Sequence, residues 1–184
     1  MRSERKAETR QKILEAAGGL FRTRGIDAVG VDAIMAAAGL THGGFYAHFA
    51  SKEALVAEVS AASLARAAAR WERISQEHDG GTALAKIVEP YLDPAHVAAT
   101  EQGCMLTTLG PDVARRGGLR PAITTSVRRM VDALARCRPD RSRRDALATL
   151  SGMVGAVVLA RLSDDPALAE ELLVAARQAA CPDD

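Results

Sequence analysis

The side chains best suited to binding another molecule lie in one short stretch, residues 39–55, which reads GLTHGGFYAHFASKEAL. If Thr41 caps a short helix there, Phe45 and Phe49 fall four residues apart and face a core. Tyrosine and histidine side chains donate hydrogen bonds to phosphates and to base edges. The stretch therefore predicts a nucleic-acid contact through an outward-facing set of residues, His42, Gly43, Gly44, Tyr46 and His48.

Two adjacent glycines, Gly43 and Gly44, occupy the first turn of this predicted helix. Each weakens a helix by roughly 1 kcal/mol relative to alanine, a cost that makes sense if a DNA backbone or major-groove edge comes close there. Backbone amides at the helix N-terminus suit phosphate, and Lys52 adds a positive charge at the start of the next helix. On spacing alone, a generic short-helix hairpin with a solvated Tyr46 explains the pattern equally well.

The flanking sequence predicts the helices that hold this stretch in place. Thr9 is expected to cap a first helix that stops at Gly25, and a second helix is expected over residues 31–38, ending at Gly39. Ser51 is a predicted N-cap for a long connector helix that runs to about Glu77. The stretch is thus expected to lie between two helices and a connector.

The composition of the 184 residues favours helices, because aromatic residues are only 3% while hydrophobic residues reach 48%. We expect an all-α protein. The net charge of +1 gives no whole-molecule field that would attract nucleic acid. Residues 1–55 nevertheless contain 8 Lys and Arg against 6 Asp and Glu, and the remainder contains 16 against 17, so the slight basic bias is N-terminal.

Several classes of protein are disfavoured by what the sequence contains. The three cysteines are widely spaced without a CxxC pair, which argues against a disulfide framework and a zinc site. The longest apolar run, residues 152–160, is far shorter than the roughly 20 residues that cross a bilayer. No HExxH, GxSxG or glycine-rich phosphate loop occurs. We expect a cytoplasmic protein that is not an enzyme and uses no membrane, metal or cofactor.

Residues 9–59 resemble the DNA-binding head of TetR-family transcriptional regulators. The matching motifs are the first-helix end at residues 20–25, the AAGL of residues 37–40, the FYAHF of residues 45–49 and the SKEAL of residues 51–55. The resemblance implies a three-helix head whose recognition helix enters the major groove, with two heads per dimer. Gly30 departs from the Ser or Thr that often caps the second helix in the family. The DNA contacts that the resemblance implies are Thr41, His42, Gly43, Gly44, Tyr46, His48 and Lys52.

The resemblance also implies that the chain has two domains with different functions. Residues 1–55 are expected to form the helix-turn-helix domain, and residues 56–184 a helical domain for ligand sensing and dimerisation. The expected protein is a repressor that binds a palindromic DNA operator as a homodimer and is released by an unidentified small molecule. Activation instead of repression stays open, as does a dimeric adaptor whose head no longer binds DNA.

A ligand cavity in such a fold is expected between the connector helix and its neighbours. Side chains of this kind are more often plain core, so that alternative is retained. The candidate wall residues are Trp71, Ile74, Tyr91, Met105, Leu109 and Met130.

Cys104 opens a segment, GCMLTTLGPDV, that is similar to the start of the sixth helix in a subset of these regulators, some of which respond to electrophiles or oxidants. A thiol near a helix N-terminus gains thiolate character, as a redox or electrophile sensor requires. A small buried residue that fills core space is the commoner role for cysteine. Release of DNA by oxidation or electrophile modification of Cys104 is therefore an alternative to release by a reversible ligand.

Apolar residues in the last two predicted helices recur at intervals of four and three, which is typical of helices that pack on a partner. In the first of them, Leu147, Val154 and Val158 add a second apolar face, so this helix is expected to contact both its own core and another subunit. The predicted dimer interface comprises Leu150, Met153, Val157, Leu168, Leu172 and Ala175.

Overall fold

A computed structural model describes residues 2–140 and 142–181, and this part of the chain is helical without strands. The N-terminal elements are α1 (Arg2–Arg24), α2 (Val31–Ala37) and a 3-10 helix (His42–Ala47). A long helix, α3 (Lys52–Glu77), leads into α4 (Gly80–Tyr91), α5 (Pro94–Ala98), α6 (Met105–Ala114) and α7 (Arg120–Arg136). The helices α8 (Arg143–Leu162) and α9 (Pro166–Ala180) form a terminal hairpin, and short 3-10 turns lie at Thr100–Gln102 and Gly117–Leu119.

Most predicted helix boundaries hold, because the residues that set them act locally. Gly25 and Gly39 end α1 and α2 with φ of +80° and +70°, a backbone region that glycine enters without a steric cost. The Ser51 side chain accepts a hydrogen bond of 3.1 Å from the Ala54 amide at the start of α3. The Asp79 side chain caps α4 by accepting a hydrogen bond of 3.1 Å from the Thr82 amide.

Two local predictions are wrong. Thr9 does not cap α1, because helix-forming residues extend that helix back to Arg2, and the Thr9 hydroxyl donates within the helix to the Arg5 carbonyl at 2.8 Å. The helix after Thr41 is a 3-10 helix that ends at Ala47, before Phe49, and the Thr41 side chain makes no cap hydrogen bond. Its two glycines explain why a regular α-helix does not form there.

The predicted boundary between the two domains, after residue 55, falls within the first turn of α3, so one continuous helix leaves the head and enters the body. In the body, α3 packs along α7, and α8 packs along both α7 and α9. A paired Arg129 and Glu72 join α7 to α3 through hydrogen bonds of 2.8 and 2.6 Å. The long helix therefore has a fixed partner along its body half.

The inward face of α8 is the face that the sequence assigned to a second subunit. Met153 and Val157 are 0% exposed and Leu150 is 6% exposed, because they pack into the core of their own chain. The prediction that these three side chains contact a partner directly is therefore wrong. On α9, Leu168 and Ala175 are exposed and Leu172 is half-buried.

Among the described residues, α8 is the one helix long and apolar enough to cross a membrane. Length and composition alone are weak evidence for such a span. In the structure, 39% of its most apolar window is buried inside the protein, where it packs between α7 and α9.

Candidate nucleic-acid interface and ligand cavity

The surface of the head is formed by the 3-10 helix His42–Ala47 and the residues that flank it. The Tyr46 side chain is 64% exposed, which is unusual for an aromatic ring. The chain contains few aromatic residues, and this one lies at the surface. Thr41, His42 and Gly43 are exposed beside it. The arrangement presents a hydroxyl-bearing ring, an imidazole and open backbone to an approaching molecule.

Two phenylalanine rings anchor this surface from below. Phe45 is 0% exposed and Phe49 is 4% exposed, and their ring centroids lie 5.7 Å apart. The guanidinium of Arg10, in α1, lies 4.6 Å above the centre of the Phe49 ring and pairs with Glu58 of α3. The exposed residues are thus carried on a base that joins α1 to α3.

The remaining predicted contact residues are less free than the sequence suggested. His42 Nδ1 pairs with the Asp32 carboxylate of α2. His48 is half-buried, its Nδ1 atom is buried without a hydrogen-bond partner among the described residues, and Gly44 is also half-buried. Lys52 is half-buried at the start of α3. Gly44 and His48 are therefore less exposed than Thr41, His42, Gly43 and Tyr46, and their contact with DNA stays a prediction.

Glycines leave the backbone of this surface accessible. A Cβ atom added at Gly43 would meet nothing within 4 Å, whereas at Gly44 it would lie 3.5 Å from Cε of Met35. Gly30 caps α2 without a side-chain hydrogen bond, and a Cβ atom there would also meet nothing within 4 Å. The N-terminus of α2 is consequently open beside the Tyr46 surface.

In the body, a cavity of about 210 Å³ lies between α3, α4, α7 and the start of α6. Four of the six predicted wall residues line it: Trp71, Tyr91, Met105 and Met130. Ile74 and Leu109 do not; Leu109 is 1% exposed in the core and Ile74 packs against the core from its edge. For those two residues the plain core role is correct.

His96 and Cys104 also line this cavity, although sequence spacing offered no signal that they lie together. His96 Nδ1 lies 2.6 Å from the Tyr91 carbonyl oxygen, and the Cys104 amide donates to His96 Nε2 at 3.2 Å. The imidazole therefore bridges the end of α4 and the start of α6 as a neutral tautomer. Burial lowers the pKa of His96, against the opposing effect of its bond to Tyr91.

Cys104 occupies the N-cap position of α6 and is half-buried at the cavity wall. Its carbonyl oxygen accepts from the Thr107 hydroxyl at 2.8 Å and the Thr108 hydroxyl at 3.2 Å. Burial raises the pKa of the other two thiols, Cys137 and Cys181. Of the three thiols, Cys104 is the one that lines this cavity.

A short segment connects the cavity to the head. Gln102 and Gly103 line the cavity, and the carbonyl oxygen of the adjacent Glu101 accepts a hydrogen bond from Arg22 Nε of α1. At the far end of α6, Arg116 pairs with Asp27 in the loop between α1 and α2. The body therefore contacts the head through residues 101–103 and 116 in addition to the continuous α3.

Residues 13–59 match the family model described as bacterial regulatory proteins, tetR family. The whole chain is similar in fold to E. coli NemR in its reduced form, with a TM-score of 0.80, 19% identity, and coverage of 94% of this chain and 95% of NemR. A TetR-family regulator from Cytophaga hutchinsonii gives a TM-score of 0.79 at 18% identity, covering 96% and 94% of the two chains. A TetR regulator from Chloroflexus aurantiacus J-10-FL gives 0.77 at 22% identity, covering 98% and 95%. No curated protein sequence matches the chain significantly.

Proposed function

We propose that this chain, whose residues 13–59 match the tetR family model, is a TetR-family regulator: a homodimeric, cytoplasmic repressor that binds a palindromic DNA operator and is released by a small ligand. The observation that carries the proposal is the exposed Tyr46 on a rigid base inside the matched segment. A ring held outward by buried Phe45 and Phe49 has no role in the core of the head. No catalytic role is proposed.

We assign the DNA contacts to the exposed surface around Tyr46. The Tyr46 hydroxyl and the open backbone at Gly43 suit phosphate oxygens, and His42 can reach either a phosphate or a base edge. Thr41 and Lys52 flank the same face. Gly44 and His48 contribute mainly by allowing the 3-10 helix to approach the DNA closely, since both are half-buried.

The homodimer is proposed to form through the outer faces of α8 and α9. Five large apolar side chains are exposed among the described residues, and four of them lie on these helices: Leu147, Leu159, Leu162 and Leu168. Apolar area of this kind is stabilised by burial against a second copy of the same face. The predicted contacts Leu168, Leu172 and Ala175 remain part of this proposal, with Leu147 and Leu159 replacing Met153 and Val157.

Ligand release is proposed to act through the segment between cavity and head. A molecule in the cavity would press on Gln102 and Gly103, and the next residue, Glu101, holds Arg22 of α1. Movement there, together with a tilt of α3, would change the separation of the two heads and remove them from successive major grooves. The ligand needs only a difference in affinity between the two head arrangements.

Release by chemical modification of Cys104 is the second candidate. Its support is the position of Cys104, at the N-cap of α6 and in the wall of the cavity, three residues from Glu101, whose carbonyl contacts the head. An electrophile that enters the cavity would meet this sulfur, and the added group would then act as the ligand does.

The experiment is selection of bound fragments from a bacterial genomic DNA library, at stated salt, by wild type and the Tyr46→Phe variant. We expect the wild type to enrich a palindrome and the variant to bind it more weakly while keeping the same oligomeric mass. Enrichment lost after electrophile treatment in the wild type, but kept in Cys104→Ser, would favour the second candidate. No enrichment by the wild type would leave the dimeric adaptor as the better explanation.

A further inference from the structure

The Tyr91 hydroxyl is a buried donor that the protein itself does not use. Tyr91 is 9% exposed, lines the cavity of about 210 Å³, and its Oη atom has no hydrogen-bond partner among the described residues. A buried polar group without a partner is costly, and in native proteins it calls for an explanation. Its ring is held in place on both sides, 5.8 Å from the Trp71 ring and 4.9 Å from the His96 ring between centroids.

Two polar side chains near this hydroxyl, His96 and Arg161, are already engaged. His96 uses both ring nitrogens, one toward the Tyr91 carbonyl and one toward the Cys104 amide. Arg161 lies close by, but its three guanidinium nitrogens bind the carbonyl oxygens of Val97 and His96 and the Thr107 hydroxyl. Ser63, Arg70, Gln102 and Cys104 also line the cavity, and the Cys104 side chain lies near the hydroxyl. The Tyr91 hydroxyl is the buried side-chain oxygen of this wall that has no hydrogen-bond partner among the described residues.

The buried part of the wall carries large apolar side chains beside the polar ones. Leu64, Trp71, Ile87 and Met130 are each less than 5% exposed, and Arg70, the arginine of the wall, is an exposed residue. Burial raises the pKa of Tyr91 well above its ordinary value, so the hydroxyl keeps its proton and acts as a donor at neutral pH. Protein cavities of about 150 Å³ hold a benzene molecule, so this cavity has room for one ring with a small substituent.

Resting on the proposed ligand-released function, we propose that this cavity binds a compact, neutral molecule with an apolar body and one hydrogen-bond acceptor, to which the Tyr91 hydroxyl donates. A ketone, an ester or an ether attached to one ring has this chemistry. A carboxylate is disfavoured because burial of its charge is costly and Arg70, the cation of the wall, is exposed to solvent. The acceptor atom of the bound molecule accepts the hydrogen bond from the hydroxyl, and the apolar body of the molecule fills the space under Trp71.

The test uses three probes of matched size, acetophenone, α-methylstyrene and benzoate, titrated calorimetrically into the full-length protein without DNA. Acetophenone and α-methylstyrene differ in a carbonyl oxygen against a methylene group, so the ratio of their Kd values isolates the acceptor. The variants are Tyr91→Phe and, as a matched control, Tyr46→Phe, which removes the same atom from the other tyrosine of the chain.

We expect the ketone-to-hydrocarbon preference of the wild type to fall roughly 2- to 12-fold in Tyr91→Phe, the range for loss of one net hydrogen bond, and to stay unchanged in Tyr46→Phe. Benzoate is expected to bind more weakly than acetophenone. Removal of an unpartnered hydroxyl should leave the unfolding temperature of Tyr91→Phe at or above that of wild type, which shows that the variant is folded.

An unchanged ratio in Tyr91→Phe, no saturable binding of either neutral probe, or tighter binding of benzoate would each overturn the proposal. Failure of the proposed ligand-released function can be distinguished from these results, because that function is tested by measuring affinity for DNA. If acetophenone binds through Tyr91 but does not alter operator affinity, the site stands and ligand release is wrong.

Discussion

Replacing Gly30 with serine is expected to stabilise the head, because this residue is an N-cap without a capping side chain. Its φ of −85° and ψ of 164° are allowed for any residue, and an added Cβ meets no atom within 4 Å. Ser51, the N-cap of α3, accepts from the amide three residues on at 3.1 Å. A serine at position 30 would accept in the same way from the Ala33 amide, which is left free at the first turn of α2.

The expected magnitude follows from the capping scale. Serine at an N-cap is more favourable than glycine by a few tenths of a kcal/mol and more favourable than alanine by about 1 kcal/mol. For a chain of this length, 1 kcal/mol corresponds to roughly 2–4 °C in Tm. The predicted order of stability is therefore Gly30→Ser, then wild type, then Gly30→Ala, with roughly 2–4 °C between the two variants.

Thermal unfolding followed by far-UV circular dichroism measures this order. All variants are compared at one protein concentration, because the proposed dimer would make Tm concentration-dependent. The alanine variant is the matched control, since it adds the same Cβ without the hydroxyl. Equal Tm values for the serine and alanine variants would refute the reasoning, because the hydroxyl would then have no amide to bind.

Three further perturbations test other parts of the structure. Gly39→Ala forces a Cβ into φ of +70°, and urea unfolding should show a loss of about 1–2 kcal/mol; wild-type stability would contradict the left-handed backbone. Burial lowers the pKa of His96 in the folded protein below its unfolded value of about 6.5, so the stability should fall as the pH drops through 6.5. The His96→Gln variant should show a flatter dependence of Tm on pH. Equal slopes for the variant and the wild type would disprove this reasoning. Leu159→Arg should give a monomeric mass by light scattering, and a dimeric mass would exclude the α8 face.

The head could be predicted from sequence because its determinants are local. Gly25 and Gly39 end helices through their own backbone freedom, Ser51 caps α3 through an amide three residues away, and the spacing of Phe45 and Phe49 places both rings inward. The type of the helix at residues 42–47 was not predictable in the same way. Gly43 and Gly44 weaken a regular α-helix there, but the structure was needed to show that the element is a 3-10 helix and that Gly44 and His48 are half-buried.

The sequence by itself determined that α8 has two apolar faces, but only the tertiary structure decided that Met153 and Val157 face inward. Periodicity reports that a face is apolar and carries no information about which neighbour buries it. The cavity is likewise a product of tertiary structure. Tyr91, His96 and Cys104 meet because α4, α5 and α6 fold back on one another, and hydrogen bonds between an imidazole and two backbone groups hold them there. Contacts of that kind depend on the path of the chain in three dimensions, which residue spacing does not encode.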